Sequence, residues 1–551
     1  MTKIKGGYPM KTMKSFLLIL LALVMCISSA QAVEDKTHLE IEGADREALF
    51  AAVDKLDESG KTYDEKVEIS IALPNIKSGA DYNTADLLTL WFRDHFNFDW
   101  NIEALPSEGI DDKVRTMINS DSMPDVLRWD NFYFNEVVDY IDQGYFYQFP
   151  EDWRERWPKI AAIQDATPIP EILRERTDGN TYCLFRPTFF FNNPTTKGTD
   201  HFGVFLRKDW AEAVGFELKD VYKPSELLEY ARLVKEQDPG KIGELLVPLS
   251  LYTSNARDTF INVSYPKFDE IYAEDGVYKW GFADERTLAG LKLWKQAYDE
   301  GLIGKEFYTL NSDDSKNAYQ VSGVSGGFCN ATNQGWVGDV WEDMEAQGLN
   351  PEECIWVAAV VGEDGYYHGT QTSNFWGVAY FSADIDPVAF ERYMDIVEFS
   401  INRDVQLFMN VGFENVDWKY ADDGSVEKIN GAEWVTSWPL YHLMSICGDD
   451  FVADSNNVSE FSWLGDKYSK KVYQIKDELV NETSIYPIDR ATYGFTSDAQ
   501  NMMTEINYKS VLANLIVAEG DLEENWKNVI AEYAYIVDPA VAELNELFGA
   551  K

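Results

Sequence analysis

Aromatic side chains stand beside carboxylate and amide side chains at two places in this sequence. Trp129 is followed by Asp130 and Asn131, and a polar loop that contains Gln334 ends at Trp336. This mixture suits a neutral sugar, because its flat C–H faces pack on aromatic rings and its hydroxyls need paired donors and acceptors. Stacking that excludes on the order of 60–80 Å² of apolar surface contributes roughly 1.5–2 kcal/mol. These five residues are our first candidates for contact with a ligand.

Further candidates are chosen by their position alone. Each lies at a predicted strand end or on a predicted connection between two folded units: Arg186, Tyr252, Trp376 and Arg490. An isolated side chain of these types more often packs within the fold, so a structural role is the alternative for each. Arg186, Arg207 and Arg490 could also pair with a carboxylate, which keeps a sugar acid or a peptide open as the ligand.

A hydrolase is the alternative function. The segment Gly323-Val-Ser-Gly-Gly327 matches the G-x-S-x-G pattern of a nucleophile elbow. An elbow serine follows a buried strand and precedes a helix, whereas Ala318-Tyr-Gln-Val321 is barely apolar. Two carboxylates could instead cleave a glycosidic bond, but no spacing singles out a pair among 94 acidic residues. We therefore expect no enzyme, with an ester- or carbohydrate-cleaving hydrolase as the alternative.

The charge balance argues against nucleic acid as a partner. The 48 Lys and Arg are outnumbered by 94 Asp and Glu, which gives a formal net charge of −46. No window offers the basic cluster that binding to a phosphate backbone needs. The five histidines show no close metal spacing, and there is no zinc-type cysteine pattern. We expect neither a metal nor another cofactor.

The elements that must position the candidates alternate between strands and helices. Alternating apolar residues predict strands over 67–73 and 98–104, and a third strand ends at Trp129. Helical spacing over 87–95 and 110–118 separates these strands. Such alternation indicates a parallel sheet, whose ligands lie beyond the carboxyl ends of its strands. Trp129 lies at one of these ends.

A second α/β unit is predicted to begin near residue 202, because 551 residues exceed one hydrophobic core. Aromatic and turn-forming residues predict crossings between the units at 186–198 and 362–375. The predicted division is a signal peptide, an acidic leader and two lobes. Their ranges are 1–32 for the signal peptide, 33–64 for the leader, 65–188 and 372–412 for the N-terminal lobe, and 189–371 and 413–551 for the C-terminal lobe.

The first residues have the layout of a secretory signal. Four lysines and no acidic residue precede an apolar run from Phe16 to Val24, and Ala30-Gln-Ala32 predicts cleavage after Ala32. Cys26 allows lipoprotein processing as the alternative, although Met25 replaces the usual small residue. We expect export to the periplasm or the cell exterior. In that compartment Cys183, Cys329, Cys354 and Cys447 are expected as buried thiols, with three disulfide pairings as the alternative.

Five phrases occur in one order along the chain. They are Asn119-Ser-Asp-Ser-Met-Pro-Asp125-Val, Arg207-Lys-Asp-Trp210 with Gly215, Tyr278-Lys-Trp280-Gly-Phe-Ala-Asp284 with Tyr298-Asp-Glu-Gly301, Gly412-Phe-Glu-Asn-Val-Asp417-Trp with Asp423-Gly424, and Asn525-Trp526 through Tyr533. In this order the chain resembles the family 1 extracellular solute-binding proteins, the carbohydrate-type receptors of ABC importers, and in particular their long subgroup.

The resemblance implies a two-lobed α/β fold of the periplasmic-binding-protein type (type II), with helices flanking each sheet and several crossings between lobes. It implies capture of a sugar or oligosaccharide by lobe closure, delivery to the permease subunits of an ABC importer, and a monomeric protein. It also places ligand contacts near Trp129 and compares Trp336 with the stacking tryptophan of maltose-binding relatives.

One departure from the family concerns calcium. Some long members carry a loop resembling D-P-x-x-N-G-x-x-D, whereas this chain has Asp238-Pro-Gly-Lys-Ile-Gly243-Glu244. Glycine and isoleucine stand where oxygen-bearing side chains would alternate around the ion. We therefore expect no calcium at this loop.

Overall fold

The computed structural model describes a set of ranges that includes most of both predicted lobes. These are residues 44–74, 83, 87–106, 109–120, 122–165, 168–187, 202–332, 334–370, 375–402, 405, 418–420, 426–428 and 470–550. The predicted signal peptide, Cys26 and Cys447 lie outside the described residues, as do the side chains of Gln334 and Trp376.

Strands and helices alternate along the first part of the chain. The elements are α1 (Ala44–Asp54), β1 (Val67–Leu73), α2 (Leu87–Phe96), β2 (Phe98–Ala104), α3 (Ile110–Asn119), β3 (Val126–Trp129), α4 (Phe134–Asp142), α5 (Trp153–Arg156), α6 (Pro158–Asp165), α7 (Ile169–Arg176) and β4 (Cys183–Pro187).

A second group of elements follows. They are β5 (Phe202–Arg207), α8 (Lys208–Val214), β6 (Val221–Tyr222), α9 (Pro224–Gln237), α10 (Thr253–Arg257), β7 (Ile271–Glu274), β8 (Val277–Trp280), α11 (Glu285–Asp299), α12 (Ser312–Gln320), β9 (Gly327–Ala331), α13 (Gln334–Ala346), α14 (Pro351–Cys354) and β10 (Ile355–Val360). The remaining elements are β11 (Gly369–Thr370), β12 (Phe375–Phe381), α15 (Pro387–Ser400), β13 (Trp418–Tyr420), β14 (Val426–Lys428), α16 (Lys470–Glu478), β15 (Ile485–Tyr486), α17 (Asp498–Met502), α18 (Tyr508–Val517) and α19 (Leu522–Leu547).

The first sheet has five strands in the order β2-β1-β3-β12-β4. Strand β1 is parallel to β2 and β3, while β12 is antiparallel to β3 and β4. The strands β1 to β4 therefore all run the same way. The carboxyl ends of β1 to β4 and the start of β12 lie on the same side of the sheet, where these strands end. We call this side the N-lobe carboxyl edge.

The first sheet is covered on both faces by apolar side chains. Alternation in β1 buries Ile69, Ile71 and Leu73 in one cluster, together with Phe92 of α2 and Phe390 of α15. Residues of β3, α3 and α4 form the cluster on the other face. Because both faces are covered, only the edges of this sheet are open to a ligand.

The second sheet has four strands in the order β6-β10-β5-β9. Strand β5 is antiparallel to both β9 and β10, and β6 is parallel to β10. The rings of Phe205 and Phe328 stack across β5 and β9 with their centroids 4.7 Å apart. The carboxyl ends of β9 and β10 meet the start of β5 at an edge that we call the C-lobe carboxyl edge.

The chain passes between the two sheets several times. It leaves the first sheet at Pro187 and enters the second at Phe202, then returns between Thr370 and Phe375. Helix α16 follows α15 in the described chain and packs against β10 of the second sheet through the cluster that contains Val472. The two sheets are thus joined through residues 188–201, 371–374 and 403–469.

The second half of the predicted acidic leader is part of the first lobe. Val53 of α1 is completely buried in the core of that lobe, and Phe50 packs against the same cluster. Asp54 accepts a hydrogen bond of 2.8 Å from the indole of Trp91, and His95 contacts Asp57 at 2.8 Å. Apolar residues interspersed among the acidic ones thus pack this helix of the predicted leader, 33–64, against the first lobe.

Within the described ranges, no helix combines the length and the apolar character that a membrane span needs.

Candidate functional site

A cluster at the N-lobe carboxyl edge is built around Asp111, in the first turn of α3. The indole Nε1 of Trp129 and the amide Nδ2 of Asn131 each donate to Asp111 Oδ1 at 2.8 Å. The hydroxyl of Tyr133 donates to Asp111 Oδ2 at 2.6 Å. We call these residues, together with Arg115, the Asp111 cluster. It joins the end of β3 to the loop that leaves β2.

The electrostatics of the Asp111 cluster favour an ionised carboxylate. Burial raises the pKa of Asp111, but hydrogen bonds from Asn131, Tyr133 and Trp129 and the charge of Arg115 outweigh burial and hold the pKa below its ordinary value. The hydrogen bond that Tyr133 donates to Asp111, together with burial, raises the pKa of Tyr133. Both groups therefore keep their roles at neutral pH, with Tyr133 as donor and Asp111 as acceptor.

Arg115 packs on the aromatic rings of this cluster. Its guanidinium carbon lies 4.8 Å from the ring centroid of Tyr133 and 5.7 Å from that of Trp129. Its Nε and Nη2 donate to the two carboxylate oxygens of Glu136 at 2.8 and 2.9 Å. The guanidinium therefore positions both rings while its charge is held by Glu136.

Trp129 itself is a core residue. Its side chain is 0% exposed and belongs to the buried cluster under β3. All four residues of β3 are buried, so the end of this strand is covered and not open. The ring has no exposed face on which a sugar could stack, and the stacking role that we expected for Trp129 is wrong in this conformation. Tyr133, which is 37% exposed, is the accessible ring of the cluster.

The other candidates from the first lobe lie at the same edge. Asp130 is partly exposed and lies 3.3 Å from the guanidinium of Arg128. Arg186 lies on β4 and is buried. The backbone of Trp376 lies in a bulge of β12 opposite the end of β4. The sheet thus brings Trp129, Asp130, Asn131, Arg186 and the backbone of Trp376 to one edge.

Gly377 shows how closely this edge is packed. Its φ of 80° lies in the left-handed region, and a Cβ there would lie 2.8 Å from Asp130 Oδ1 and 2.9 Å from the carbonyl oxygen of Trp129. Glycine is therefore required at the bulge, both for its conformation and for its size.

A second cluster lies at the C-lobe carboxyl edge. Tyr252 comes two residues after Ser250, which forms a short bridge with Phe328 of β9. The side chain of Tyr252 is hydrogen-bonded to Ser312 at the start of α12. Asn330, near the end of β9, donates to the Ser312 hydroxyl at 3.1 Å. Burial raises the pKa of Tyr252, so its hydroxyl stays protonated at neutral pH. Hydroxyl and amide groups thus converge on one strand end.

Trp336 extends this second cluster. It lies in the first turn of α13 and is half-buried. The Lys316 ammonium lies 4.4 Å from the centroid of its ring and 3.1 Å from the carboxylate of Asp339. We call Tyr252, Ser312, Lys316, Asn330 and Trp336 the Trp336 cluster. Two of its residues, Tyr252 and Trp336, were predicted from the sequence.

Arg490 forms its ion pairs within the fold. Its guanidinium pairs with Glu171 at 3.1 Å and Glu175 at 2.8 Å, both on α7. The neighbouring Tyr493 packs its ring 5.1 Å from Phe134 of the first lobe, whereas Asp489 accepts a hydrogen bond from Tyr278 of β8. Residues 487–494 therefore form a strap that contacts elements of both lobes.

Arg207 is also committed within the fold. It ends β5 at the edge opposite the C-lobe carboxyl edge, where its Nε donates to Asp209 at 2.8 Å. Neither Arg207 nor Arg490 is therefore placed to pair with a carboxylate on a ligand at the two clusters.

Ser325 of the G-x-S-x-G segment has no nucleophile geometry. Its hydroxyl is completely buried, donates to the carbonyl of Gly327 at 2.8 Å and accepts from the amide of Ser250 at 3.2 Å. It also precedes β9 instead of following a strand. The hydroxyl therefore links main-chain segments and has no open path to a substrate.

The loop at Asp238 uses its carboxylate for its own backbone. The two oxygens accept from the amides of Ile242 and Gly243, both at 2.8 Å. Over the described ranges, no group of three or more His, Cys, Asp or Glu is arranged to hold a metal. The Asp238 carboxylate thus caps a turn of its own loop.

The described cysteines are buried thiols. Cys183, Cys329 and Cys354 are all buried and none of the three forms a disulfide. Burial raises the pKa of the Cys329 thiol to about 12 and also raises that of Cys183. These cysteines therefore serve as neutral core side chains.

Sequence reasoning missed several residues of the two clusters: Asp111, Arg115, Tyr133, Ser312, Lys316 and Asn330. Asp111 carried a usable signal, because it opens the helix after β2 and so lies at the same edge as the end of β3. Tyr133 follows the same strand by four residues. The two side chains from the start of α12 carried no signal, since only the fold brings α12 to the end of β9.

Comparison with known proteins supports the fold. The sequence matches no protein-family model and no curated protein. An alginate-binding protein solved without calcium ion is 16% identical, with 88% of this chain and 98% of that chain covered and a TM-score of 0.59. An ABC-transporter substrate-binding protein of S. pneumoniae in complex with kestose is 14% identical, with 86% and 97% covered and a TM-score of 0.61. An extracellular solute-binding protein from Bifidobacterium longum subsp. infantis is 13% identical, with 88% and 98% covered and a TM-score of 0.61.

These likenesses define the class of fold. They extend over nearly the full length of each solved protein, while the identities of 13–16% are too low to carry a ligand from one protein to another. The prediction of a two-lobed α/β fold of the periplasmic-binding-protein type is confirmed.

Proposed function

We propose that this chain is an exported solute-binding protein that captures a sugar or oligosaccharide and delivers it to an ABC importer. The observation that carries the proposal is the pair of clusters at the two carboxyl edges of this two-lobed fold. Each combines an aromatic ring with hydroxyl and amide groups. Proteins of the same fold include ones that bind alginate and kestose.

Chemical complementarity supports a sugar ligand. At the N-lobe carboxyl edge, Tyr133 offers an exposed ring and Asn131 an exposed amide. The Trp336 cluster offers a half-buried indole, the amide of Asn330 and the hydroxyl of Tyr252. Rings cover the apolar faces of a sugar, and amides and hydroxyls satisfy its hydroxyl groups.

The remaining predicted contacts are part of the same proposal. Asp130, Gln334 and Trp376 are proposed to contact the ligand at the two edges, with Arg186 behind them on β4. Trp129 is proposed to act indirectly, because it holds Asp111 and through it the ring of Tyr133. Arg490 is removed from the contact set, because both of its ion pairs are with α7.

Two-lobe closure is the proposed mechanism of capture. The N-terminal lobe would comprise 65–188 and 372–412 together with α1, and the C-terminal lobe 189–371 and 413–551. A ligand that contacts both carboxyl edges favours the closed arrangement, which a few residues in the connections can accommodate. We propose that the protein acts as a monomer, exported after removal of residues 1–32, with the permease subunits as its partners.

A hydrolase is less well supported. The buried hydroxyl of Ser325 cannot approach a substrate, so the elbow motif carries no function. Capture without chemical change then accounts for both clusters, since neither requires a nucleophile.

The proposal is tested by a screen of purified protein against oligosaccharides. A ligand at about a hundred times its Kd adds roughly 2.7 kcal/mol to the stability of the folded state, which a thermal-shift assay detects. Small-angle scattering should then show compaction on saturation. Tyr133→Ala should weaken binding about tenfold or more, whereas Tyr535→Ala serves as the control, because Tyr535 is 65% exposed on α19. Absence of any sugar ligand, or an unchanged radius of gyration on confirmed binding, would count against capture by closure.

A further inference from the structure

We propose that the ligand is a neutral oligosaccharide and not a uronate or another anionic glycan. This inference rests on the proposed function and narrows it to one chemical class. The geometry points to it because groups of the protein already bind the cations at both carboxyl edges, and the carboxylates there outnumber the cations.

At the N-lobe carboxyl edge the cationic side chains already interact with other groups of the protein. Arg115 makes a two-pronged ion pair with Glu136 at 2.8 and 2.9 Å, and Arg128 lies 3.3 Å from Asp130. Arg186 is buried and already interacts within the protein. A ligand carboxylate would have to displace a protein carboxylate to reach the guanidinium group of Arg115 or of Arg128.

The same edge carries an ionised carboxylate whose donors are neutral. Asp111 accepts from Trp129, Asn131 and Tyr133, and its low pKa keeps it charged at neutral pH. With Asp112, Asp130 and Glu136 beside it, four carboxylates accompany the three guanidinium groups of Arg115, Arg128 and Arg186. Among these described residues the carboxylates exceed the cations by one.

The C-lobe carboxyl edge repeats this arrangement. Lys316 pairs with Asp339 at 3.1 Å, and Arg257 pairs with Asp258 at 2.7 Å. The first turn of α12 adds two further carboxylates, those of Asp313 and Asp314. The buried Lys476 donates to the carbonyl oxygen of Phe202 at the start of β5, so the four carboxylates named here outnumber three cations.

A neutral sugar avoids this repulsion and gains from the same groups. Its hydroxyls donate to carboxylates and accept from amides, so paired and surplus carboxylates remain useful acceptors. An anionic sugar loses those donor bonds where its carboxylates replace hydroxyls, and it approaches like charges. We therefore expect at least about tenfold weaker binding for a uronate than for the neutral analogue of the same linkage and length.

The test compares two sets of probes on the mature protein. Neutral gluco-, manno-, xylo- and fructo-oligosaccharides of three to five units form one set, and oligogalacturonates and alginate oligomers of the same lengths form the other. Thermal shift followed by titration calorimetry should find ligands only in the neutral set. Binding of a uronate with equal or higher affinity overturns the inference and leaves sugar capture intact. If neither set binds, the proposed function and this inference both fail.

Charge variants test the physical cause. Glu136→Gln and Asp339→Asn release the cations of Arg115 and Lys316, so each should raise the affinity for a uronate about tenfold relative to the neutral analogue. Glu523→Gln is the matched control, because Glu523 pairs with two lysines on the outer helices. Circular dichroism confirms that each variant is folded. An unchanged ratio of the two affinities in both folded site variants would overturn the charge argument.

Discussion

Replacing Trp129 separates a core role from a binding role in a single set of measurements. The ring is completely buried and lies 5.3 Å from the ring of Tyr133 and 6.4 Å from that of Tyr380, measured between centroids. Truncation of such a residue to alanine removes packing and leaves a cavity, which costs roughly 3–5 kcal/mol. In the variant Asp111 still accepts hydrogen bonds from Asn131 and Tyr133, so its carboxylate is not left without donors and adds nothing to this cost.

The expected change is large enough to measure by urea unfolding. With slopes of about 1–3 kcal/mol per M, a cost of roughly 3–5 kcal/mol means that Trp129→Ala should lower the unfolding midpoint by roughly 1–5 M. Trp129→Phe keeps most of the ring and loses the indole N–H, so its cost should be about 1–2 kcal/mol. Trp336→Ala should cost less stability than Trp129→Ala and should weaken sugar binding about ten- to a hundredfold, because that ring is only half-buried.

Circular dichroism in urea and calorimetry with a neutral oligosaccharide read the two effects separately. If Trp129→Ala has a free energy of unfolding within about 1 kcal/mol of that of the original protein but no longer binds the sugar, Trp129 contacts the ligand and its core role is refuted. A Trp336→Ala variant that binds every ligand with unchanged affinity would refute the role of the Trp336 cluster.

Three further outcomes follow from individual contacts. Arg490→Ala should cost under about 1 kcal/mol in urea titrations, and less at high salt, because both of its ion pairs with α7 are exposed; a larger loss would mean that the strap holds the lobes together. Because burial raises the pKa of Cys329 to about 12, its contribution to stability is complete below the unfolded thiol pKa of about 8.5 and falls as pH rises above it. Urea titrations at about pH 7.5 and 9.5 should therefore show a larger fall for the original protein than for Cys329→Ala, and equal falls would contradict the burial argument. Chelator should move the melting temperature by less than about 1 °C, since the Asp238 carboxylate is used by two backbone amides; a large drop would reveal a calcium site elsewhere.

The strands of the first sheet could be predicted because their residue pattern is local. Val67, Ile69, Ile71 and Leu73 alternate with other side chains, and β1 spans Val67–Leu73 as the alternation indicates. The predicted strand over 98–104 has the same bounds in the structure. In both strands the alternating apolar residues mark the face that packs in one core cluster, whereas the burial of Ala72 on the other face of β1 comes from the fold.

The docking of α1 could not be predicted in the same way. Acidic residues outnumber basic ones by ten to four over residues 33–64, and this charge excess alone suggests a solvated segment. The contacts of Val53 and Asp54 are with residues of α2, far away along the chain, so no local pattern reveals them. A mixed acidic and apolar helix is recognised as part of a core only when its partner is known.

Trp129 shows why position along a strand was a poor guide to exposure. Ligands of parallel sheets bind beyond the carboxyl ends of the strands, and this rule is what led us to Trp129. But β3 is only four residues long and is buried throughout, because the edge is covered by the Asp111 cluster and by the bulge of β12. The ring that faces outward is Tyr133, in the next turn of the chain.

The Asp111 cluster makes the stability of the first lobe and the order of its candidate site depend on the same contacts. Trp129 buries its ring in the core and donates to Asp111, and Asp111 in turn accepts from the hydroxyl of Tyr133. Arg115 lies against both rings and is itself held by Glu136. An exposed tyrosine fixed at its hydroxyl and on one face of its ring has little rotamer freedom left to lose when a sugar binds, which favours affinity. Loss of Asp111 should therefore release Tyr133 before it unfolds the lobe.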